Sequence, residues 1–228
     1  MLNSPGIAAN LALIRRKMAE AALKTGRNPE EIKLIAVSKT FPAQAVRAAI
    51  ASGQTCFGEN RVQEAKAKYH DLRREFPSLE LHLIGPLQTN KAMDAVRLFD
   101  VIQTLDRPKL AAAVAAAIGK EGKTPRLYAE INTGKEPQKA GVAPEELCGF
   151  LRLCREEHGL KIEGLMCIPP EAEDPEPHFR LLKRLADENG LARISMGMSA
   201  DFETAIACGA TEVRLGTAVF GKRGQAAA

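Results

Sequence analysis

The stretch Ile32-Lys33-Leu34-Ile35-Ala36-Val37-Ser38-Lys39-Thr40 predicts a buried strand that ends at a lysine. Its apolar residues are aliphatic or β-branched, and Phe41-Pro42 directly after it interrupts the extended chain. Lys39 therefore follows the carboxyl end of a strand, where α/β folds carry their chemistry. A lysine in a partly dry site there can lose its proton and attack a carbonyl group as a neutral amine. An isolated lysine at a strand end is more often a solvated side chain, so the rest of the chain has to decide.

The composition is that of an ordinary globular protein. The chain has 228 residues, of which 45% are hydrophobic and 26% charged, enough to bury a substantial core. No linker interrupts it, so we expect one domain over residues 1–228. A net charge of +4, scattered basic pairs and no Trp argue against a nucleic-acid partner. No apolar run is long enough to span a bilayer and no signal-peptide pattern is seen, so we expect a cytoplasmic protein without a membrane partner.

The five cysteines contain no C-x-x-C pair, and the four histidines show no ligand spacing beside them. In a chain of this size, that pattern indicates reduced thiols. We therefore expect neither a disulfide framework nor a metal site.

Turn signals divide the chain into alternating strands and helices. The predicted strands cover residues 32–37, 55–58, 79–84, 100–103, 126–131, 161–168, 193–196 and 211–215. An additional amphipathic helix starts at Ser4-Pro5, with Ile7, Leu11, Ile14 and Met18 on one face. Eight strands that alternate with helices predict a single (β/α)8 TIM-type barrel with an extra N-terminal helix. A doubly wound open sheet is the alternative, because periodicity alone does not show closure.

Three helix boundaries depend on local signals. Glu59-Asn60 is predicted to open a charged helix that runs to about Glu75. Gly119 is predicted to end the alanine-rich helix that starts at Asp106. Ser199 is predicted to begin a short helix that runs to Cys208.

Polar residues follow the predicted strands on the face where the strands end. They are Lys39 after the first strand, Glu59 and Asn60 after the second, and Asn132 and Thr133 after the fifth. The richest segments are Ser195-Met196-Gly197-Met198-Ser199, after the seventh strand, and Arg214-Leu215-Gly216-Thr217, at the end of the eighth. Glycines permit close backbone approach and hydroxyls donate hydrogen bonds, so the two segments predict an anion site, where barrels commonly bind phosphate. The alternative is that Ser199 is only a helix N-cap and Gly216 only a turn glycine.

A strand-end lysine together with a phosphate site favours an aldehyde cofactor that carries a phosphate, namely pyridoxal phosphate. A class I aldolase, which forms a Schiff base with its substrate, is the rival interpretation. The residue pattern alone does not distinguish the two.

A set of motifs resembles one known family, the pyridoxal phosphate homeostasis proteins (YggS/PROSC type), which are similar to the N-terminal barrel domain of alanine racemase. The resemblance is collinear from about residue 30 to residue 221 and is highly specific. The motifs are Ala36-Val37-Ser38-Lys39-Thr40, Phe57-Gly58-Glu59-Asn60 with Gln63-Glu64, His82-Leu83-Ile84-Gly85-Pro86-Leu87-Gln88-Thr89-Asn90-Lys91, Gly164-Leu165-Met166, Ser195-Met196-Gly197-Met198-Ser199 and Arg214-Leu215-Gly216-Thr217-Ala218-Val219-Phe220-Gly221.

The resemblance implies a role for each matching residue. It implies a Schiff base with the cofactor on Lys39, phosphate contacts from Ser199, Gly216 and Thr217, Arg214 at the pyridine nitrogen, and Asn60 near the ring. Two departures are visible, because Leu81 stands where the family usually has a tryptophan and Ala200 where it usually has an aspartate.

The resemblance further implies a protein that binds pyridoxal phosphate and influences its supply, without an established reaction of its own. An amino-acid racemase is the alternative, but it needs a second acid/base on the opposite ring face. Of the two tyrosines, Tyr69 falls in a predicted helix and Tyr128 in a predicted strand. We assign no catalytic residue, interpret His82 as a packed strand histidine, and expect a monomer whose partners are the cofactor and cofactor-accepting apo-enzymes.

An arginine at the pyridine nitrogen has a chemical consequence. Arg214 would carry a permanent charge and only donors, so it can bond the ring nitrogen only when that nitrogen is unprotonated. An unprotonated ring is a weak electron sink. We therefore expect a cofactor that is held and passed on, with little carbanion chemistry.

Overall fold

A computed structural model of the chain describes residues 4–221, with side chains from residue 6 onward. The predicted single domain over residues 1–228 extends beyond this range at both ends and stays a prediction.

Eight parallel strands close into a barrel in which each strand pairs with the next. The strands are β1 (Lys33–Val37), β2 (Cys56–Glu59), β3 (Glu80–Leu83), β4 (Val101–Leu105), β5 (Arg126–Ile131), β6 (Ile162–Cys167), β7 (Arg193–Ser195) and β8 (Glu212–Leu215). The closing pair is β1 with β8, in register from Lys33 opposite Glu212 to Ala36 opposite Leu215. The predicted TIM-type barrel is confirmed, and the open doubly wound sheet is wrong because an open sheet leaves two strands with a free edge.

Helices surround the barrel. Within residues 4–221 they are α1 (Ser4–Lys24), α2 (Ala43–Ala51), α3 (Val62–Glu75), α4 (Ala92–Leu98), α5 (Pro108–Glu121), α6 (Leu147–Glu156), α7 (Pro175–Glu188), α8 (Phe202–Ala207) and α9 (Thr217–Phe220). Short 3-10 turns cover Pro29–Glu31, Thr89–Lys91 and Pro144–Glu146.

The extra N-terminal helix is confirmed. Its predicted inward residues Ile7, Leu11, Ile14 and Met18 are all buried, and α1 packs against α2, α8 and α9. Burying an aliphatic side chain of this size contributes about 1.5–3 kcal/mol, so this stripe alone is sufficient to attach the helix. The helix thereby covers the outer layer next to the strand pair that closes the barrel.

Side chains along each strand alternate between two environments. On β1, Leu34 and Ala36 belong to the apolar layer between sheet and helices, whereas Ile35 and Val37 are buried but lie outside that layer, in the barrel interior. This two-residue period follows from strand geometry. It means that residues in the inward series at the carboxyl ends of the strands open onto a common mouth.

Three predicted boundaries differ from the structure, and one of them is the start of α8, which lies at Phe202 rather than at Ser199. Residue Glu59 remains in β2, where it pairs with Leu83, so α3 begins only at Val62. Gly119 is tolerated inside α5, which instead ends at Gly122, a residue with φ +66° that closes the helix in the left-handed conformation.

None of the helices between residues 4 and 221 is long and apolar enough to cross a membrane. All five cysteines are free thiols, and four of them are buried.

Candidate functional site

The predicted site residues lie at the carboxyl ends of four adjacent strands, in the spatial order β2, β1, β8 and β7. Asn60 follows β2, Lys39 follows β1, Arg214 is in β8 with Gly216 and Thr217 after it, and Ser199 follows β7. Closure of the barrel brings together residues that the sequence separates by up to 178 positions (39 to 217). The site therefore occupies one arc of the mouth.

Lys39 lies between the other members of this arc. Val37 pairs with Gly58 across β1 and β2, so Lys39 and Asn60, each two residues further on, leave neighbouring strands side by side. On the other flank Gly216 packs against β1, where a Cβ atom would lie in ordinary contact, 3.4 Å from the Val37 carbonyl oxygen. Lys39 itself is half-buried, and no hydrogen bond or ion pair within residues 4–221 engages its ammonium group.

The placement of Asn60 depends on Gly85, which lies in the loop after β3. A Cβ atom at Gly85 would lie 2.5 Å from the Asn60 carbonyl oxygen, which is closer than real atoms approach. Only glycine allows the two strand ends to pack at this distance. The glycine of the Gly85-Pro86 motif thus acts through the backbone of Asn60.

Ser199 and Thr217 form a pair of hydroxyls across the mouth. Thr217 Oγ1 donates to Ser199 Oγ at 3.2 Å, and the N–H of Ala218 lies 3.4 Å from the same oxygen. Within residues 4–221 the backbone N–H groups of Ser199 and Thr217 have no backbone acceptor. Two hydroxyls and two free amides at one place are the donor set that an anion such as phosphate requires.

The structure bears on the alternative interpretations of both segments. Helix α8 begins at Phe202 rather than at Ser199, and the Ser199 hydroxyl contacts α9, so it is no cap of α8. Gly216 has φ −106°, a conformation open to any residue, so no turn requires glycine there. In the segment after β7, the backbone does require a glycine at Gly197. This residue has φ +90°, and a Cβ atom there would lie 2.5 Å from the Ala205 Cβ.

Arg214 is a buried cation whose two hydrogen bonds to protein groups within residues 4–221 leave further N–H donors unused. It is 4% exposed, its Nη1 donates to Ser195 Oγ at 2.7 Å, and its Nη2 donates to the Cys167 carbonyl oxygen at 2.8 Å. A guanidinium has about five N–H donors, so these bonds leave others for a ligand. Burial lowers the pKa of Arg214, but the group starts so high that it stays charged.

A hydrogen-bonded chain connects Arg214 to a carboxylate in the barrel interior. Ser195 Oγ donates to Gln103 Oε1 at 2.7 Å, and Gln103 Nε2 donates to Glu212 Oε2 at 2.9 Å. The hydroxyl of Tyr128 donates to the other Glu212 oxygen at 2.7 Å. Sequence reasoning missed Gln103 and Glu212, although the alternation Glu212-x-Arg214 in β8 is a signal that both face inward.

Sequence reasoning also missed Glu130, a half-buried carboxyl two residues beyond Tyr128 on β5. Burial and the negative charge of Asp106 raise the pKa of Glu130 to about 7, although Arg214 opposes the shift. Acidic groups with such values concentrate at functional sites. The alternation Arg126-x-Tyr128-x-Glu130 is the sequence signal that could have found it.

Other polar residues at strand ends do not join the site. Glu59 is fully buried and accepts hydrogen bonds from Lys68 and Ser38, so its carboxylate faces α3. Asn132 bonds both the N–H and the carbonyl oxygen of Glu136 and thereby folds its own loop.

A second polar cluster lies at the opposite, N-terminal end of the barrel interior. The Glu80 carboxylate is 2.9 Å from Lys33 Nζ and 2.8 Å from an Arg126 nitrogen, and it accepts a hydrogen bond from His82. Burial by itself would raise the pKa of Glu80, but these three partners outweigh it and hold the pKa well below its usual range. Lys33, Arg126 and Glu80 are thus paired with one another without a ligand.

Cys56, Glu80 and His82 offer ligand atoms within 4.8 Å of one another. Their hydrogen bonds argue against a metal site. Gln103 Nε2 donates to both Glu212 and His82 Nδ1, so the imidazole lone pair is on Nδ1 and the proton on Nε2, facing Glu80. The nitrogen that faces the cluster is therefore a donor. His82 is 0% exposed, which confirms the prediction of a packed strand histidine.

The two tyrosines are committed to buried hydrogen bonds away from the arc. Tyr69 shares a hydrogen bond of 2.7 Å with Ser38, outside the barrel wall. Tyr128 donates to Glu212 in the interior. Burial raises the pKa of both phenols, so neither is suited to exchange protons near neutral pH.

Comparisons with known proteins point to one family. The family model described as alanine racemase, N-terminal domain, matches residues 6–224. A pyridoxal phosphate homeostasis protein of Pseudomonas aeruginosa is 41% identical over 222 residues, which cover 95% of this chain and 96% of the relative. The protein of the same name from Escherichia coli K12 is 39% identical over 226 residues, which cover 95% of this chain and 97% of the relative.

Solved structures agree. PipY of Synechococcus elongatus with pyridoxal phosphate bound has a TM-score of 0.80 at 37% identity, covering 94% of this chain and 100% of PipY. Alanine racemase of Corynebacterium glutamicum has a TM-score of 0.66 at 22% identity, covering 97% of this chain and 61% of the racemase, a likeness of fold alone. The sequence, the closed barrel and these relatives together show that the chain belongs to the pyridoxal phosphate homeostasis protein family.

Proposed function

We propose that this protein binds pyridoxal phosphate, holds it as a Schiff base on Lys39, and acts in pyridoxal phosphate homeostasis. The observation that carries the proposal is the arc of the barrel mouth. A lysine, a pair of hydroxyls with free amides, and a buried arginine lie there on adjacent strand ends. The relative PipY has been solved with pyridoxal phosphate bound, which supports the same ligand for this chain.

The donor set fits the cofactor group by group. An aldehyde needs an amine without a competing ion pair, and Lys39 meets that condition. A phosphate dianion needs several donors, and the hydroxyls of Ser199 and Thr217 and their free N–H groups supply them. A pyridine nitrogen needs one donor, and Arg214 has donors left over.

Bound pyridoxal phosphate supplies an aldehyde that captures amines and a ring that accepts electrons. Lys39 would hold the cofactor through its amine, as a Schiff base formed with loss of water. Arg214 would donate a hydrogen bond to the ring nitrogen and, through its charge, would lower the pKa of that nitrogen. The chain thereby holds the cofactor in a form with little capacity to stabilise a carbanion, which suits storage and transfer.

Transfer implies recipients, and we propose apo-enzymes that accept the cofactor. The half-buried position of Lys39 at an open mouth supports exchange, because an incoming amine can reach the bound carbon. A cytoplasmic location and a monomeric state stay predictions.

An amino-acid racemase is the second candidate, and Glu130 is the observation that favours it. A carboxyl whose pKa is about 7 can both accept and donate a proton near neutral pH. Incubation of the loaded protein with L-alanine and a chiral assay tests this directly. Turnover near the enzyme median of about ten per second would establish the racemase, whereas we expect none above background.

The decisive test of the proposed function is a visible spectrum before and after borohydride, followed by peptide mass mapping. We expect a yellow protein with the pyridoxyl group on Lys39. A colourless protein that takes up no added pyridoxal phosphate would favour the aldolase interpretation. Nitrogen NMR on labelled cofactor tests Arg214, and a ring nitrogen that is protonated at neutral pH would contradict the role proposed for it.

A further inference from the structure

The turn that carries Lys39 is held by charged side chains of α3. Thr40 has φ +67°, in the left-handed region that β-branched residues rarely adopt. Its N–H donates to Glu64 Oε1. On the other side of the lysine, the Ser38 carbonyl oxygen accepts a hydrogen bond from Lys68 Nζ at 2.7 Å. Both chain neighbours of Lys39 are therefore fixed from the same helix.

The two side chains that hold the turn also hold each other. Lys68 Nζ lies 3.0 Å from Glu64 Oε1, one helical turn away, and 2.8 Å from Glu59 Oε1. Lys68 is only 8% exposed, and hydrogen bonds between charged groups are stronger where water is excluded. Burial alone would raise the pKa of Glu64, but the Thr40 N–H and Lys68 outweigh it and lower that pKa. Glu64 therefore remains an acceptor.

The far end of the turn is attached to the phosphate side of the site. Phe41 stacks on Phe220, the last residue of α9, with ring centroids 5.0 Å apart and planes 30° apart. Because α9 begins at Thr217, the Lys39 turn is held between α3 on one side and the hydroxyl pair on the other. A change in the turn would thus shift the lysine relative to the proposed phosphate site.

A residue with a β-branched side chain keeps a left-handed backbone conformation only when its surroundings compensate for the strain. The carboxylate of Glu64 supplies that compensation by accepting the Thr40 N–H. Without it, Thr40 relaxes towards negative φ, and the backbone leaves β1 in another direction. Glycine at position 40 would adopt the left-handed conformation without strain and without help.

On the basis of the proposed function of Lys39, we propose that Glu64, braced by Lys68, is a positioning residue that fixes Thr40 in the left-handed conformation and so aims the Lys39 amine at the cofactor aldehyde. Glu64 does not touch the cofactor in this arrangement. Its effect passes through the backbone of the turn.

A double-mutant cycle between Glu64 and Thr40 tests this. In the wild-type background, Glu64→Ala should slow covalent attachment of added pyridoxal phosphate about tenfold, the loss expected for one charge-assisted hydrogen bond. In the Thr40→Gly background, the same Glu64→Ala change should slow attachment less than about threefold, because glycine needs no support. Glu64→Gln keeps an acceptor oxygen and should recover most of the wild-type rate.

Two measurements without cofactor accompany the cycle. Hydrogen exchange of the Thr40 amide should accelerate in Glu64→Ala and return towards the wild-type rate in Glu64→Gln. The melting temperature should remain close to that of the wild type, because Glu64 is 28% exposed and Lys68 keeps Glu59 as partner. Glu75→Ala is the matched control, since it removes an exposed α3 carboxylate that pairs with Arg47 at 2.8 Å.

The outcomes separate this proposal from the proposed function. Borohydride labelling of wild type at a site other than Lys39 would overturn both. Labelling at Lys39 with an unchanged rate in Glu64→Ala would overturn the positioning role alone. The positioning role would also be overturned if Glu64→Ala slowed attachment equally in the wild-type and Thr40→Gly backgrounds. The carboxylate would then act by some route other than the turn.

Discussion

Two lysines on one strand have opposite surroundings. Lys33, at the start of β1, is paired with both oxygens of Glu80 at 2.9 and 3.1 Å. Lys39, just beyond its end, has half-buried surroundings and no ion pair among residues 4–221. Both lie in the same inward series, six positions apart, so strand geometry does not distinguish them.

The same contrast holds for the two ends of the barrel interior. At the N-terminal end Lys33, Arg126 and His82 all bond Glu80, so both cations there have a carboxylate partner. At the mouth, Arg214 bonds only a hydroxyl and a carbonyl oxygen among residues 4–221, without a carboxylate partner. Cations that are paired with a carboxylate stabilise the fold, whereas a buried cation bonded only to neutral groups is prepared for a ligand.

The largest expected effect comes from replacing each of the two lysines in turn with alanine. Lys39→Ala should abolish the borohydride-trapped label entirely, because no other amine takes its place. Lys33→Ala should keep the label and lower the free energy of unfolding by about 0.5–1 kcal/mol, since its ion pair is partly exposed. Mass mapping and urea denaturation measure the two effects. A label that survives Lys39→Ala would remove the functional distinction between the lysines.

The next largest effect concerns the hydroxyl pair. Ser199→Ala removes a bond to a charged group, worth about 1.5–3 kcal/mol, and should weaken cofactor affinity about ten- to a hundredfold in an equilibrium titration. Ser52→Ala is the control, because the Ser52 hydroxyl bonds only the Ala48 carbonyl oxygen on α2. Equal affinity in the two variants would count against the phosphate site.

The N-terminal cluster predicts a dependence of stability on pH. The folded-state pKa of Glu80 lies below the value of about 4.3 in an unfolded chain, so its stabilisation is complete above that value. It is lost as the pH falls through the folded pKa. Glu80→Gln should therefore reduce the free energy of unfolding by about 1–3 kcal/mol at pH 7 and much less in acid.

Urea denaturation between pH 7 and pH 3 measures this effect, and cofactor affinity at pH 7 is the control. The affinity should stay near that of the wild type, because Glu80 lies at the far end of the barrel. A Glu80→Gln variant with normal stability and impaired binding would reverse the comparison between the two ends.

The smallest effect comes from Glu130. In the folded protein the pKa of Glu130 is raised to about 7, so the folded state binds this proton more tightly than the unfolded chain does. The stabilisation that the bound proton provides is complete below about pH 4.3 and is lost as the pH rises through 7. An ionised Glu130 also repels an anionic ligand, so cofactor affinity should fall less than tenfold between pH 6 and pH 8.

Glu130→Gln should make the affinity independent of pH over that interval. Asp106→Asn should move the midpoint downward, because the charge of Asp106 helps to raise the pKa of Glu130. A pH dependence that persists in Glu130→Gln would assign it to another group.

Much of the fold was predictable from the sequence. Strand and helix positions follow from periodicity over a few neighbouring residues, so the eight strands and α1 were found at nearly their observed bounds. Errors occurred where two local signals compete. Gly119 predicts a helix end although α5 continues to Glu121, and Ser199 predicts a helix start although α8 begins at Phe202.

The site was predictable only in part. Lys39, Arg214 and the Ser199 and Thr217 hydroxyls stand at strand ends, which chain-local patterns reveal. Glu64 gave no such signal, because its importance depends on reaching Thr40 from 24 residues away.

By itself, the sequence determined which segments extend, which coil and which polar side chains stand at strand ends, since those depend on near neighbours. Barrel closure, the pairing of Lys33 with Glu80, and the chain from Arg214 to Glu212 were decided only by the tertiary structure. The physical reason is that a side chain's free energy depends on what surrounds it, and here the partners come from strands distant in sequence. Two lysines of one strand are alike until the barrel closes around them.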